Sequence, residues 1–149
     1  MKKIFIIFLI AFSYFNNSIA DERMKKLNQL FDDLKTQNYS IAYKVEQEIW
    51  QIWSTHPNDE NLTMLLNEGS SLVNELKYNQ AIDIFSQAIN LDPLWAEAWN
   101  KRATVFYLSG NFKKSQKDID KVLELEKRHF GALAGQGLVN IKLKNYNKA

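Results

Sequence analysis

The sequence predicts an all-α solenoid, an array of antiparallel helical hairpins stacked one on the next. A pattern of small and aromatic residues recurs every 34 residues, apolar residues between those positions fall at three- and four-residue spacing, and the chain contains only 2 prolines. Periods of this length are typical of repeat architectures. One hairpin cannot bury its apolar face alone, so successive hairpins must stack.

Three sets of residues share the 34-residue period. Small residues allow two helix backbones to approach closely, and large apolar residues fill the space between neighbouring hairpins. The sets are Gly69, Ala103 and Gly137; Tyr78, Phe112 and Tyr146; and Ala81, Ser115 and Ala149. They predict two full repeats, at 62–95 and 96–129, and a partial third repeat at 130–149 that holds only its first helix.

The first repeat matches a known helix-turn-helix pattern, W-x2-L-G-x2-Y followed by A-x3-F and P. Its matching residues are Leu65, Gly69, Leu72, Ala81, Phe85, Ala88 and Pro93, and those of the second repeat are Trp99, Ala103, Phe106, Ser115, Ile119 and Val122. On these residues the chain resembles the tetratricopeptide repeat (TPR) family, which implies a TPR-type α-solenoid. The segments 96–104 and 128–133 also resemble short exported bacterial TPR proteins. Those proteins usually continue through the second helix of the third repeat, which is cut short here at Ala149.

Residues 1–20 have the composition of a secretory signal peptide. Lys2 and Lys3 precede the apolar run 4–12, and small residues stand two positions apart at the end, at Ser18 and Ala20. This arrangement predicts cleavage after Ala20 and export, to the periplasm on the TPR resemblance. The alternative is an uncleaved anchor, although the apolar run is shorter than the roughly 20 residues that span a bilayer.

Residues 21–56 are predicted to form a non-consensus helical hairpin in front of the repeats. Apolar residues recur at helical spacing in both halves, but no small residues occupy the repeat register. Trp50 and Trp53 lie on the second stripe, where a place in the core is favoured over a ligand-stacking pair. Asn38 and Ser40 are expected to supply the cap of the second helix, and Asn58 or Asp59 to cap the helix after the Ser54–Asn61 loop.

Charge and composition limit the classes of partner. Removing the two lysines of the signal peptide leaves a formal charge of zero, which argues against nucleic acid binding. The charge is uneven, with 8 Lys and Arg against 13 Asp and Glu in residues 21–112, and 9 against 4 in residues 113–149. Ordinary solvated faces are favoured over a steering gradient. The chain has no cysteine, so disulfides and thiol chemistry are excluded.

The sequence predicts no active site. His56 and His129 lack neighbours at metal-ligand spacing, and there is no phosphate-binding glycine loop or nucleophile motif. We therefore expect no enzyme activity, no metal, no cofactor and no small-molecule substrate. Lys127, Arg128 and His129 could bind an anion, but basic residues also favour a helix C-terminus.

The TPR resemblance implies that the first helices of the repeats form a concave groove for a peptide or helix. Leu66 and Gly135 occupy two positions that hold Lys or Asn in relatives that clamp a C-terminal carboxylate, so this chain is not expected to bind in that way. A merely solvated polar surface remains the alternative. The groove positions are Asn67, Ser70 and Asn74; Asn100, Lys101, Thr104 and Tyr107; and Leu138 and Ile141.

The predicted function is an exported protein-protein interaction module, an adaptor or scaffold with an unidentified protein partner. The partner would bind in the groove or at the open C-terminal end, where Leu133, Gly137, Leu138 and Ile141 are candidate contacts. The alternative is a truncated remnant that binds nothing. Glu68, Arg102 and Gln136 share one repeat position, and the stacking predicts an ion pair between Glu68 and Arg102.

Overall fold

The computed structural model describes residues 21–144, and these are all-α as predicted. The predicted signal peptide and residues 145–149 lie outside the described residues. The chain divides into two compact units, with the boundary between Asn58 and Asp59. The helices are residues 21–33 (α1), Tyr39–Ser54 (α2), Glu60–Asn74 (α3), Tyr78–Leu91 (α4), Ala96–Leu108 (α5), Phe112–Leu125 (α6) and Phe130–Lys142 (α7).

The first unit contains α1 and α2, whose apolar stripes supply its buried residues. The side chain of Asn38 caps α2 by accepting hydrogen bonds from the backbone N–H groups of Ser40 and Ile41. Trp53 is buried and its ring meets that of Trp50 edge to face at 5.5 Å. Trp53 therefore lies in the core of this unit, and the partly buried Trp50 packs against it. The other buried apolar residues are Leu27, Leu30, Val45 and Ile49.

The second unit contains α3 to α7, in which α3 pairs with α4 and α5 pairs with α6. Asp59 caps α3 through a 2.8 Å hydrogen bond from Asn61 N–H. Each first helix ends in a residue with a left-handed backbone, at φ 60° for Leu76, 77° for Gly110 and 60° for Lys144. These three positions also lie 34 residues apart, so a left-handed residue stands at the same register position after α3, α5 and α7.

The hairpins close where small residues were expected. Gly69 lies directly against the ring of Phe85, and both residues are buried. In the second repeat Ser115 replaces alanine, and its hydroxyl donates a 2.8 Å hydrogen bond to the carbonyl of Ala103 across the hairpin. Burying a side chain such as that of Phe85 contributes roughly 1.5–3 kcal/mol. The apolar cluster around it contains Leu62, Leu66, Ala81, Ala88, Ile89, Trp95, Ala98 and Val105.

The turns between repeats also follow the 34-residue register. The carboxylate of Asp92 accepts a hydrogen bond from Leu94 N–H at 2.8 Å, and that of Glu126 accepts one from Arg128 N–H at 3.0 Å. A carboxylate that binds the backbone two residues later is a standard way of ordering a turn. This explains why an acidic residue stands at both positions.

The predicted ion pair between Glu68 and Arg102 is wrong. Arg102 instead donates two hydrogen bonds to the buried carboxylate of Asp118, at 2.8 and 2.9 Å, and a third to Ser86 at 3.0 Å. Its guanidinium also lies 5.0 Å from the ring centre of Trp99. Glu68 is exposed on α3. Asp118 is in the same hairpin as Arg102, so the bidentate pair forms within the second repeat, while the hydrogen bond to Ser86 joins Arg102 to α4 of the first repeat.

No helix within residues 21–144 is long and apolar enough to cross a membrane.

Substituting Gly69 with alanine is expected to lower the free energy of unfolding by about 1–3 kcal/mol, the cost of overpacking a core. A Cβ atom at this position would lie 2.4 Å from Cε1 of Phe85, whose ring is fully buried. Gly137→Ala is the matched control, because a Cβ atom there meets nothing within 4 Å. It should raise stability by up to about 1 kcal/mol through helix propensity. Equal changes in the two denaturant midpoints would contradict this account.

Candidate functional site

The first helices of the repeats form one surface in the second unit. Helix α5 contacts α3 on one side and α7 on the other. We call the surface formed by α3, α5 and α7 the first-helix surface. All nine residues that the sequence predicted for the groove lie on these three helices.

A cavity of about 180 Å³ opens between α5 and α7 on this surface. Residues of α6 form its floor, and most of its wall is apolar. Four predicted groove residues line it, namely Asn100, Thr104, Tyr107 and Leu138. The others are Ala103 on α5, Ser115 and Ile119 on α6, and Gly131, Ala134, Gly135 and Val139 on α7.

The cavity exists because α7 carries small residues where α5 carries large ones. Gly131, Ala134 and Gly135 stand 34 residues after Glu97, Asn100 and Lys101. The missing side-chain volume leaves a gap between the two helices. At Gly135 a Cβ atom would lie 3.4 Å from Cδ1 of Ile119, so this glycine faces the floor. This cavity was not predicted from the sequence, although a comparison of side-chain volumes along the 34-residue register would have revealed it.

The remaining predicted groove residues lie away from the cavity wall. Asn67 and Asn74 are exposed on α3, and the Ser70 hydroxyl donates a 2.8 Å hydrogen bond to the Leu66 carbonyl. Ile141 is 51% exposed near the end of α7. The ammonium group of Lys101 lies 3.3 Å from Oε1 of Glu97. The structure thus brings four of the nine residues around one cavity, and their role in binding stays a prediction.

A buried polar network joins α5 to α7 beside the cavity. Glu97 is 1% exposed and His129 is fully buried, and Oε2 of Glu97 lies 2.9 Å from Nε2 of His129. The same carboxylate oxygen accepts a 3.1 Å hydrogen bond from the Asn100 amide. Nδ1 of His129 accepts a hydrogen bond from Ala132 N–H at 3.2 Å, so His129 caps α7. With Nδ1 as an acceptor, the neutral imidazole carries its proton on Nε2 and donates to Glu97.

Of the three residues weighed for anion binding, Lys127, Arg128 and His129, the last two are committed to internal contacts. His129 caps α7, and the guanidinium of Arg128 donates to Glu126 at 2.9 and 2.8 Å. Burial raises the pKa of Glu126, but the hydrogen bonds and charge of Arg128 outweigh burial and hold this pKa below its ordinary value. The pair thus contributes stability above the unfolded-state pKa of the carboxyl group, and this contribution is lost as the pH falls through the lower folded-state pKa.

Within residues 21–144, no group of three or more His, Cys, Asp or Glu residues is placed to hold a metal ion.

Comparisons with known proteins find similarity to proteins that contain tetratricopeptide repeats. A tetratricopeptide repeat model matches residues 96–129, the range predicted for the second repeat. A TPR repeat-containing protein of Rhizobium etli is 35% identical over 116 residues, which cover 77% of this chain and 56% of the relative. The Hsp70-Hsp90 organizing protein 1 of Glycine max is 28% identical over 118 residues, 79% of this chain and 20% of that protein. The chain thus spans about half the length of the first relative and a fifth of the second.

Substituting Glu97 with alanine is expected to lower the free energy of unfolding by about 1–3 kcal/mol. The change removes the acceptor for two buried donors, on Asn100 and His129, and a buried donor without an acceptor carries this cost. Glu124→Ala is the control, since Glu124 is exposed and pairs only with Lys121. It should change stability by less than about 0.5 kcal/mol. Chemical denaturation of both variants tests the network, which would be ruled out if the two losses were equal.

Proposed function

This chain is a tetratricopeptide repeat protein, and we propose that it acts outside the cytoplasm as an adaptor or scaffold that binds a peptide or helix of another protein. The binding surface would be the first-helix surface. This proposal is supported by the helical array and by relatives whose names include the Hsp70-Hsp90 organizing protein of plants. No catalytic arrangement emerged from the sequence.

The main structural support for this proposal is the cavity between α5 and α7. A surface that bound nothing would be expected to fill such a gap with side chains, because interiors pack to high density. Leu138 remains 50% exposed at the cavity wall, and Thr104 beside it is also exposed. An exposed apolar residue beside an apolar cavity supports the proposal that this surface binds a protein segment.

The outer face of α7 is the second candidate binding surface, which was also predicted from the sequence. Leu133 is 47% exposed and Ile141 is 51% exposed. A Cβ atom at Gly137 meets nothing within 4 Å, whereas one at the equivalent Gly69 meets Phe85. Among the described residues, this face of α7 therefore has no counterpart of the helix that covers α3. An amphipathic partner helix is the ligand that would fit such a face.

Both candidate binding surfaces can be tested by selection from a random peptide library. The affinities of the enriched peptides are then measured by fluorescence anisotropy. Leu138→Lys should weaken binding at the cavity at least about tenfold, which corresponds to about 1.4 kcal/mol. Leu91→Lys on α4 is the control, because Leu91 is exposed on a second helix and should not affect binding. Weakening by Leu133→Lys alone would move the site to the outer face of α7. If no peptide is enriched, or if neither substitution on α7 weakens binding, the proposed interaction function is wrong.

Export is the second part of the proposal and rests on the composition of residues 1–20. Expression of the full chain in a Gram-negative host, followed by fractionation and intact-mass measurement, is the direct test. The expected product lies in the periplasmic fraction and begins at Asp21, because the signal peptidase accepts small residues such as Ser18 and Ala20. Ala20→Arg should block this cleavage. A cytoplasmic product with the full mass would contradict export.

A further inference from the structure

We infer that the cavity between α5 and α7 takes one uncharged apolar side chain, of the size of phenylalanine or leucine, from an internal and acidic segment of the partner. This inference rests on the proposed function and specifies what the first-helix surface recognises. Three properties of the cavity support this inference, namely its size, the chemistry of its wall and the charge around it.

The size of the cavity matches a single side chain. Its volume is about 180 Å³. An apolar cavity of about 150 Å³ in another protein binds benzene, and pockets for drug-sized molecules usually exceed about 300 Å³. The cavity is therefore too small for most cofactors and large enough for a phenyl or isobutyl group.

The wall of the cavity favours an apolar group over water. The hydroxyl of Ser115 already donates to the Ala103 carbonyl, and that of Thr104 already donates to the Asn100 carbonyl at 3.0 Å. The rest of the wall is mainly aliphatic or glycine. A buried water needs two to four polar partners, so water in this space is weakly held and an apolar side chain displaces it favourably.

The polar network beside the cavity disfavours a carboxylate. The Asn100 amide donates to Glu97, and the Lys101 ammonium group lies 3.3 Å from the same carboxyl group. The Asn100 amide and the Lys101 ammonium group thus already serve one buried carboxylate. A carboxylate placed in the cavity would have neither of these two groups available as a partner, and burying an unpaired charge is costly. The anchor is therefore a neutral side chain, and the C-terminus of the partner is not required.

The charge around α7 complements an acidic segment. Residues 127–144 include no Asp or Glu, and they carry Lys127 before the helix and Lys142 and Lys144 at its end. All three lysines are exposed. Acidic residues on either side of the anchor would lie over these charges, with an attraction that salt screens over about 10 Å at 0.1 M. This assigns a role to the basic C-terminal third of the chain.

The first experiment uses N-acetyl-phenylalaninamide as the probe, with N-acetyl-alaninamide as its control. In a two-dimensional NMR titration of residues 21–149, the phenylalanine probe should shift the amide signals of Gly131 and Gly135. Gly135→Leu should weaken its binding at least about tenfold by filling the cavity. Gln136→Leu is the control on the same helix and should leave binding unchanged, since Gln136 does not line the cavity. The chemical-shift map of the unmodified protein decides the question even if Gly135→Leu fails to fold.

The second experiment compares two capped peptides, Glu-Glu-Phe-Glu-Glu and Lys-Lys-Phe-Lys-Lys, both with a blocked C-terminus. The acidic peptide should bind at least about tenfold more tightly at 0.1 M salt, and this difference should shrink at about 1 M salt. Equal binding of the two peptides, or equal binding of the two small probes, would overturn the inference. If the library selection yields groove-binding peptides without a shared Phe or Leu, the inference fails while the proposed function stands. If the selection yields no binder, the proposed function fails as well.

Discussion

The close approach of paired helices at small residues is the constraint on which the second unit depends. Gly69 lets the ring of Phe85 lie against the backbone of α3, and this contact fixes the separation of α3 and α4. The rest of the apolar cluster packs around that ring. In the second hairpin Ser115 adds a hydrogen bond to the Ala103 carbonyl, so the spacing is held by a directional contact as well as by packing. Because neighbouring units contact only each other, such local spacings set the geometry of the whole array.

The hydrogen bond between Glu97 and His129 keeps the cavity between α5 and α7 from closing. A gap between two helices normally closes by small shifts, since empty space forfeits contact energy. Here the start of α7 is held to α5 by a buried carboxylate that also binds Asn100. The side chain that caps α7 is the same one that ties it to α5. Helix α7 is thus fixed at its first turn, and its small residues leave space beside α5.

The repeat register was sufficient to predict the hairpins of the second unit, because small and aromatic residues at fixed offsets leave few ways to pack. The pairing of Arg102 was predicted wrongly, since a long guanidinium side chain can reach several partners and the register alone does not rank them. Asp118 lies within the same hairpin and offers a buried bidentate partner. The role of His129 as a helix cap was missed because histidine is not among the favoured capping residues. The cavity was missed because the sequence motif records side chains that are present and not the volume that glycine leaves empty.

The turns after α3, α5 and α7 differ in backbone energy, because the left-handed residue is glycine in only one of them. Leu76 and Lys144 adopt φ 60°, a region that costs a residue with a Cβ atom about 1–2 kcal/mol, whereas Gly110 adopts φ 77° at little cost. The turn between α5 and α6 is therefore relaxed, and the turns on either side of it carry conformational strain. Local opening of an array begins where the intrinsic energy is least favourable. Within residues 59–144, we therefore expect local opening to begin at the turns that follow α3 and α7, and the hairpin of α5 and α6 to open least often.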